Sequence, residues 1–174
     1  FKHLIQEVPK YLKEKIVSCS IAGTSGTLLA CKTNGDPLGK ALPYFISCSD
    51  NLEEISKLFI KDCLGSSSSG SVGRALKLLN LYGNNILLRH QSDWISGWLL
   101  NNWEYGEEGN NIRMGWEISN SSWPKNFQNL NWVKCLPTVI SSGQIIGNID
   151  VEKAKELDLP KNLKVVSGTT DSNA

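Results

Sequence analysis

The sequence predicts one α/β domain with a mixed sheet flanked by helices. Three observations carry the prediction. Short β-rich runs near both ends of the chain are separated by segments whose apolar residues recur at helical spacing. A chain of 174 residues suits a single core. Hydrophobic residues at 40% and charged residues at 20% are ordinary for a globular chain and exclude collagen-like and disordered classes.

The elements follow in order. Leu4, Ile5, Val8, Leu12 and Ile16 lie at helical spacing between Lys and Glu, which predicts an amphipathic helix over residues 2–15 with Pro9 at a turn or kink. Ile16 to Ala22 reads as a strand ending at Gly23, and Thr27 to Lys32 as a second. Thr33-Asn34-Gly35-Asp36 carries the Asn-Gly signal of a tight turn, giving a hairpin. Asp50 is placed to cap a helix over Asn51 to Cys63, with Ile55, Leu58, Phe59 and Cys63 on one side. Ser66 to Ser71 reads as a Ser/Gly loop outside the packed core, and Val72 to Leu81 as a helix directing Ala75, Leu76 and Leu79 inward. Asp93 to Leu100 is the most apolar helical segment and is expected to be buried between other elements. Val151 to Leu157 reads as a short helix, and Lys164 to Ser167 as a strand running into Gly168. The strand at residues 16–22 is expected beside the one at 164–167, with Thr24 and Asp171 brought to one cleft.

Composition narrows the function classes. A net charge of +1 with dispersed lysines offers no field for nucleic acid or an anionic membrane, and no apolar run reaches the ~20 residues of a membrane span. The five cysteines have no CxxC spacing, so they read as reduced thiols rather than a disulfide framework or zinc site. His3 and His90 stand alone, so no metal site is expected. The six tryptophans all fall between Trp94 and Trp132, the pattern of core filling more than of sugar stacking. The start lacks the apolar stretch of a signal peptide, which suits a cytoplasmic protein. The absence of an initiator Met and the stop at Ala174 are what a fragment or a truncated product would have.

Four segments, in this order, resemble the first domain of FGGY carbohydrate kinases, in particular a xylulokinase-like branch of plants and cyanobacteria. Ser20-Ile21-Ala22-Gly23-Thr24-Ser25-Gly26-Thr27-Leu28-Leu29 looks like the sugar-contacting strand and loop. His90-Gln91-Ser92-Asp93-Trp94-Ile95-Ser96-Gly97-Trp98-Leu99 is similar to "HQADW…GWLTG". Leu136-Pro137 through Gly143 and Ile146-Gly147 is similar to "LP.V..SG..IG". Val165-Val166-Ser167-Gly168-Thr169-Thr170-Asp171-Ser172 is similar to "PVVAGTTDS". The resemblance implies an incomplete ribonuclease H-like (actin-like ATPase) domain, the partial sugar-binding half of a kinase that phosphorylates a pentulose such as xylulose or a related polyol with ATP and Mg. It further implies that the first phosphate-binding hairpin, "D.GTSG.R", and a C-terminal kinase domain belong to the complete protein, and that this chain alone is inactive. Phe45, Ile46 and Cys48 stand where the branch has polar, acidic and basic residues ("MYNDAR").

The chemistry needs one carboxylate to take the proton of the attacking hydroxyl while the rest of the site places and stabilises the phosphoryl group. Asp171 is that candidate by resemblance; read alone, it would as soon cap a following helix. Thr24 and Ser25 occupy a tight loop at a strand end, where their hydroxyls bind a polyol or satisfy the turn backbone. Asp93 lines the sugar cleft or caps the buried helix, and Ser172 joins the substrate-binding set through its motif. A non-catalytic sugar-binding or interaction module is the competing reading, favoured by the apolar Phe45-Ile46 loop.

Overall fold

A computed structural model describes residues 1–60 and 63–174. Along the chain run α1 (Lys2–Gln6), α2 (Lys10–Lys13), β1 (Ser18–Gly23), β2 (Leu28–Cys31), α3 (Leu52–Leu58), α4 (Ser71–Tyr82), β3 (Leu87–His90) and α5 (Gln91–Leu100). Then come β4 (Tyr105–Glu107), α6 (Glu108–Asn111), β5 (Thr138–Ile140), β6 (Ile145–Asn148), α7 (Val151–Leu157) and β7 (Lys164–Thr170), with 3-10 turns between several of them.

The mixed sheet has the order β1-β7-β6: β1 runs parallel to β7, and β6 antiparallel to it. Helix α5 packs on β1 and β7, and together with α7 it buries Ile21, Leu99, Ala154, Leu157, Leu163 and Val165 in one core. A second core gathers Leu28, Ala30, Val72, Leu76, Leu88, Met114, Phe127 and Trp132 around α4 and the separate antiparallel pair of β2 and β3. His90 ends β3 and immediately precedes α5, so one segment ties the two cores together.

Several expectations change. The single helix over 2–15 is two short ones, because Pro9 lacks an N–H and stands extended at φ −56°, ψ 142°. Ile5 and Ile16 reach the core, whereas Leu4 and Leu12 stay exposed. Strands β1 and β2 lie in different sheets. The Asn-Gly turn does form, with Gly35 at φ 85°, and the returning chain meets β2 only at isolated bridges, Cys31 with Pro37 and Leu28 with Leu42.

Asp50 does not cap α3: it lies inside a 3-10 turn over Ser49–Asn51, and Asn51 holds the capping position. That helix stops at Leu58 because Phe59 is extended and its ring packs 5.6 Å from that of Phe127. The part of the expected helix at residues 61–62 lies outside the described residues. The Ser66 to Ser71 segment, read as unpackable, buries Gly70 and Ser71; just before it Gly65 is buried as well, where the lack of a side chain lets the backbone approach Gly115 and Phe59.

The readings of α4, of the core tryptophans and of β7 hold. Helix α4 buries Ala75 and Leu76 with Leu79 packed alongside. Trp123 and Trp132 flank Phe127 at centroid distances of 6.1 and 5.6 Å, as core filling requires. Strand β7 extends the expected run as far as Thr170. The described cysteines are free thiols, and burial pushes that of Cys31 up to about 11, which keeps it unreactive at neutral pH. Among the described residues no helix is long and apolar enough to cross a membrane.

Candidate functional site

The site grows from the parallel pairing of β1 and β7. Gly23 lies opposite Thr170 in the register, so Thr24 and Asp171, the next residue on each strand, leave the same end of the sheet side by side. Ligand sites of open α/β sheets form at this end, where chains diverge into loops. Asp171 and Ser172 are exposed and Thr24 and Ser25 half-buried. Asp171 lies inside a short 3-10 turn with Thr170 as its cap residue, and among the described residues its carboxylate has no hydrogen-bond or ion-pair partner. The hydroxyls of Thr170 and Ser172 lie 3.1 Å apart.

The Thr24 hydroxyl lies 2.7 Å from Thr27 Oγ1 and 2.9 Å from Gln91 Oε1, and its one proton serves either. Thr27 Oγ1 also accepts from the Tyr44 N–H at 3.2 Å, which joins the loop at residues 44–46 to the site. Buried Arg74 fixes that loop. Its guanidinium donates to the carbonyls of Gly26 (3.0 Å), Tyr44 (3.2 Å), Ile46 (2.9 Å) and Ser69 (3.0 Å). The turn after Thr24 is held from the other side by α6 and its continuation. Asn110 Oδ1 accepts from the Gly26 N–H at 2.8 Å, Asn110 Nδ2 donates to Ser92 Oγ at 3.1 Å, and Arg113 Nε donates to Ser25 Oγ at 3.1 Å.

Asp93 sits beneath this surface. It is the third residue of α5, whose cap position is His90, so it is not the helix cap. It is 2% exposed, and its oxygens accept from the Glu107 N–H (2.9 Å) and Asn111 Nδ2 (3.1 Å). Oδ2 also lies 3.5 Å from His90 Nδ1, and His90 Nε2 lies 2.9 Å from Ser71 Oγ. The motif around His90 thus builds the floor of the site.

Sequence reasoning missed Gln91, Glu107, Asn110 and Arg113. Glu107 had a local signal, an acid ahead of a short polar turn, and it does cap α6 by accepting from the Gly109 and Asn110 N–H groups at 2.6 and 2.5 Å. Arg113 had none, since its partner Ser25 is 88 positions away. A cavity of about 470 Å³ lined by Leu58, Phe59, Ile112, Trp116 and Pro124 is chiefly apolar, and none of these polar groups lines it.

Burial, then the nearby Asp93 carboxylate, pushes the Glu107 carboxyl above its ordinary 4.5. The proton is therefore held more tightly in the folded chain than in the unfolded one. The corresponding stability is present below about pH 4.5 and is lost as pH rises through the higher folded value. We expect Glu107→Gln, which cannot ionise, to gain on the wild type as pH rises from 4 towards 7 in paired denaturant titrations. A constant difference across that range would contradict the shift.

No protein-family model matches the chain. Among solved structures it is similar to glycerol kinase from Plasmodium falciparum, with TM-score 0.78 and 19% identity over 98% of this chain and 38% of that one. It is also similar to xylulose kinase from Lactobacillus acidophilus (0.77, 14%, 99% and 39%) and to a carbohydrate kinase from Novosphingobium aromaticivorans (0.76, 15%, 99% and 39%). The chain therefore has the fold of the N-terminal domain of sugar kinases, an actin-like ATPase fold. It spans less than two fifths of the length of each of these proteins.

Proposed function

We propose that the chain is the sugar-binding part of a cytoplasmic, ATP-dependent carbohydrate kinase of the FGGY family, acting on a pentulose such as xylulose or a related polyol. The observation that carries this reading is the free Asp171 carboxylate beside the Thr24-Ser25 loop at the end of the β1–β7 pair. Asp171 accepts the proton of the attacking hydroxyl, and that oxygen forms its bond to the γ-phosphorus as the bond to the ADP oxygen breaks. Thr24, Ser25 and Ser172 supply hydroxyls that give and accept hydrogen bonds with the polyol. Asp93 acts through its bonds to Glu107 and Asn111, which hold the floor of the site in shape.

Mg-ATP supplies the phosphoryl group in the complete protein. Among the described residues no three His, Cys, Asp or Glu side chains gather as a metal centre. The phosphate-binding hairpin and the C-terminal domain belong to the complete kinase in this reading. The 174-residue chain by itself is then expected to give no kinase turnover in a coupled ADP-release assay with xylulose, because phosphate placement supplies several orders of magnitude of rate. Ordinary turnover by the purified chain would contradict the division of labour.

One observation favours a non-catalytic sugar-binding or interaction module instead. Tyr44 and Phe45 are 52% and 72% exposed, their rings meet at 5.5 Å, and Arg74 clamps the backbone beneath them. The complete protein separates the readings: phosphorylation of any polyol supports the kinase, and sugar binding without turnover supports the module.

A further inference from the structure

The Ser25–Gly26 turn is faced by two guanidinium groups and, among the described residues, by no carboxylate within ion-pair distance of either. Arg74 is spent on four backbone carbonyls. Arg113 is half-buried and, among the described residues, commits only Nε, to Ser25 Oγ. The four N–H bonds on its two terminal nitrogens form the planar edge that matches an oxyanion in a two-point contact. A partly buried cation without a counter-charge is disfavoured, and burial, then the nearby Arg113 charge, lowers the proton affinity of Arg74. Both costs are relieved by an anion. Ser25 completes the donor set: its oxygen accepts from Arg113, and its own hydrogen is left to give.

The nearby acids are otherwise engaged. Asp93 and Glu107 are buried and bonded internally, and Glu108 accepts from the Ser142 N–H at 3.0 Å. Asp171 belongs to the neighbouring strand end and makes no ion pair with Arg113. Arg113 is held at the site by the same short segment that caps onto Glu107 and binds Gly26 through Asn110.

We propose that Arg113 and Ser25 form an oxyanion subsite of the acceptor cleft, so that the polyol taken by this protein carries a carboxylate, as an aldonic acid does. The inference rests on the Thr24–Asp171 cleft being the acceptor site. An oxyanion at Arg113 has two possible sources, the acceptor's carboxylate or a phosphoryl group. Ser25 lies on the acceptor loop directly after Thr24, which assigns it to the acceptor.

The test is calorimetric titration of the chain with D-xylonate, neutral D-xylulose and inorganic phosphate, for the wild type, Arg113→Gln, Arg113→Lys and Ser25→Ala. Xylonate is expected to bind about 10-fold tighter than xylulose, as one charge-assisted pair provides. Arg113→Gln should abolish the difference by weakening xylonate more than xylulose, while Arg113→Lys and Ser25→Ala should each keep part of it. Should Arg113→Gln fail to fold, the lysine and Ser25 variants carry the same comparison. Equal binding of xylonate and xylulose overturns the subsite and leaves the sugar-lobe reading standing. Phosphate binding that depends on Arg113, with no preference for xylonate, assigns the oxyanion to the phosphoryl group and overturns the acceptor assignment. A preference that survives Arg113→Gln removes Arg113 from it. Binding of neither sugar compound sinks both the subsite and the reading beneath it.

Discussion

Replacing Asp171 by Asn in the complete protein is expected to lower kcat by at least about 100-fold while sugar affinity changes little. The substitution preserves the shape of the side chain and removes the basic oxygen. Among the described residues the carboxylate bonds to no protein group, so the change breaks no contact that holds the fold. A loss in kcat without loss of stability or sugar affinity therefore belongs to the proton transfer. If Asp171 served only to cap the turn that contains it, Asn would cap nearly as well, and activity and stability would both stay close to wild type. The geometry already weakens that alternative, because Thr170 holds the cap position and no side-chain cap bond forms. Measuring kcat, the dissociation constant for the sugar and the melting temperature on one preparation separates the two. Retention of most of the kcat would return Asp171 to a structural role and leave the kinase reading on motif order and fold.

What could be read from the residues divides by the range of the interactions. Strands β1 and β7, helices α4, α5 and α7 and the Asn-Gly turn are written in local patterns, and the structure has each of them within a few residues of the expected bounds. The adjacency of β1 and β7 was also anticipated, through motif order rather than through periodicity. Boundaries failed where a distant contact decided them. Phe59 leaves the helical path to meet Phe127, and Gly65 packs on Gly115; neither partner has a local signal. Of the seven strands among the described residues, four (β3, β4, β5 and β6) were not anticipated; they have only three or four residues each, too few for alternation to register. The candidate site divides in the same way. Thr24, Ser25, Asp93, Asp171 and Ser172 lie within motifs, whereas Arg74 and Arg113 reach the site across 48 and 88 positions. An arginine that reads as an ordinary solvated charge becomes part of the site only through its tertiary partners.

Gly168→Ala is expected to destabilise the chain by at least about 3 kcal/mol, lowering its melting temperature by roughly 6–12 °C. The register explains why. Ser20 pairs with Val166 and Ala22 with Thr169, so β7 carries one residue more than β1 across this interval, the count of a bulge. Gly168 lies in that interval, and a Cβ there would fall 2.0 Å from the Ile21 carbonyl oxygen and 2.8 Å from its carbon. Those atoms are backbone of the neighbouring strand and cannot rotate aside as a side chain would. The chain must either separate β1 from β7 or remove the bulge. Removing it slides the following residues by one position, which turns the side chains after it to the opposite face. Thr24 and Asp171 then no longer leave the sheet side by side, so in the complete protein activity should fall along with stability. Gly143→Ala is the control: its φ of 82° is unfavourable for alanine, but no atom lies within 4 Å of the added Cβ, so its cost should stay near 1 kcal/mol. Thermal melts of the two variants beside the wild type decide the matter. A Gly168→Ala chain that melts within roughly 2 °C of wild type, a difference under about 1 kcal/mol, would mean that β1 and β7 do not meet in this register, and the juxtaposition of Thr24 with Asp171 would lose its structural basis.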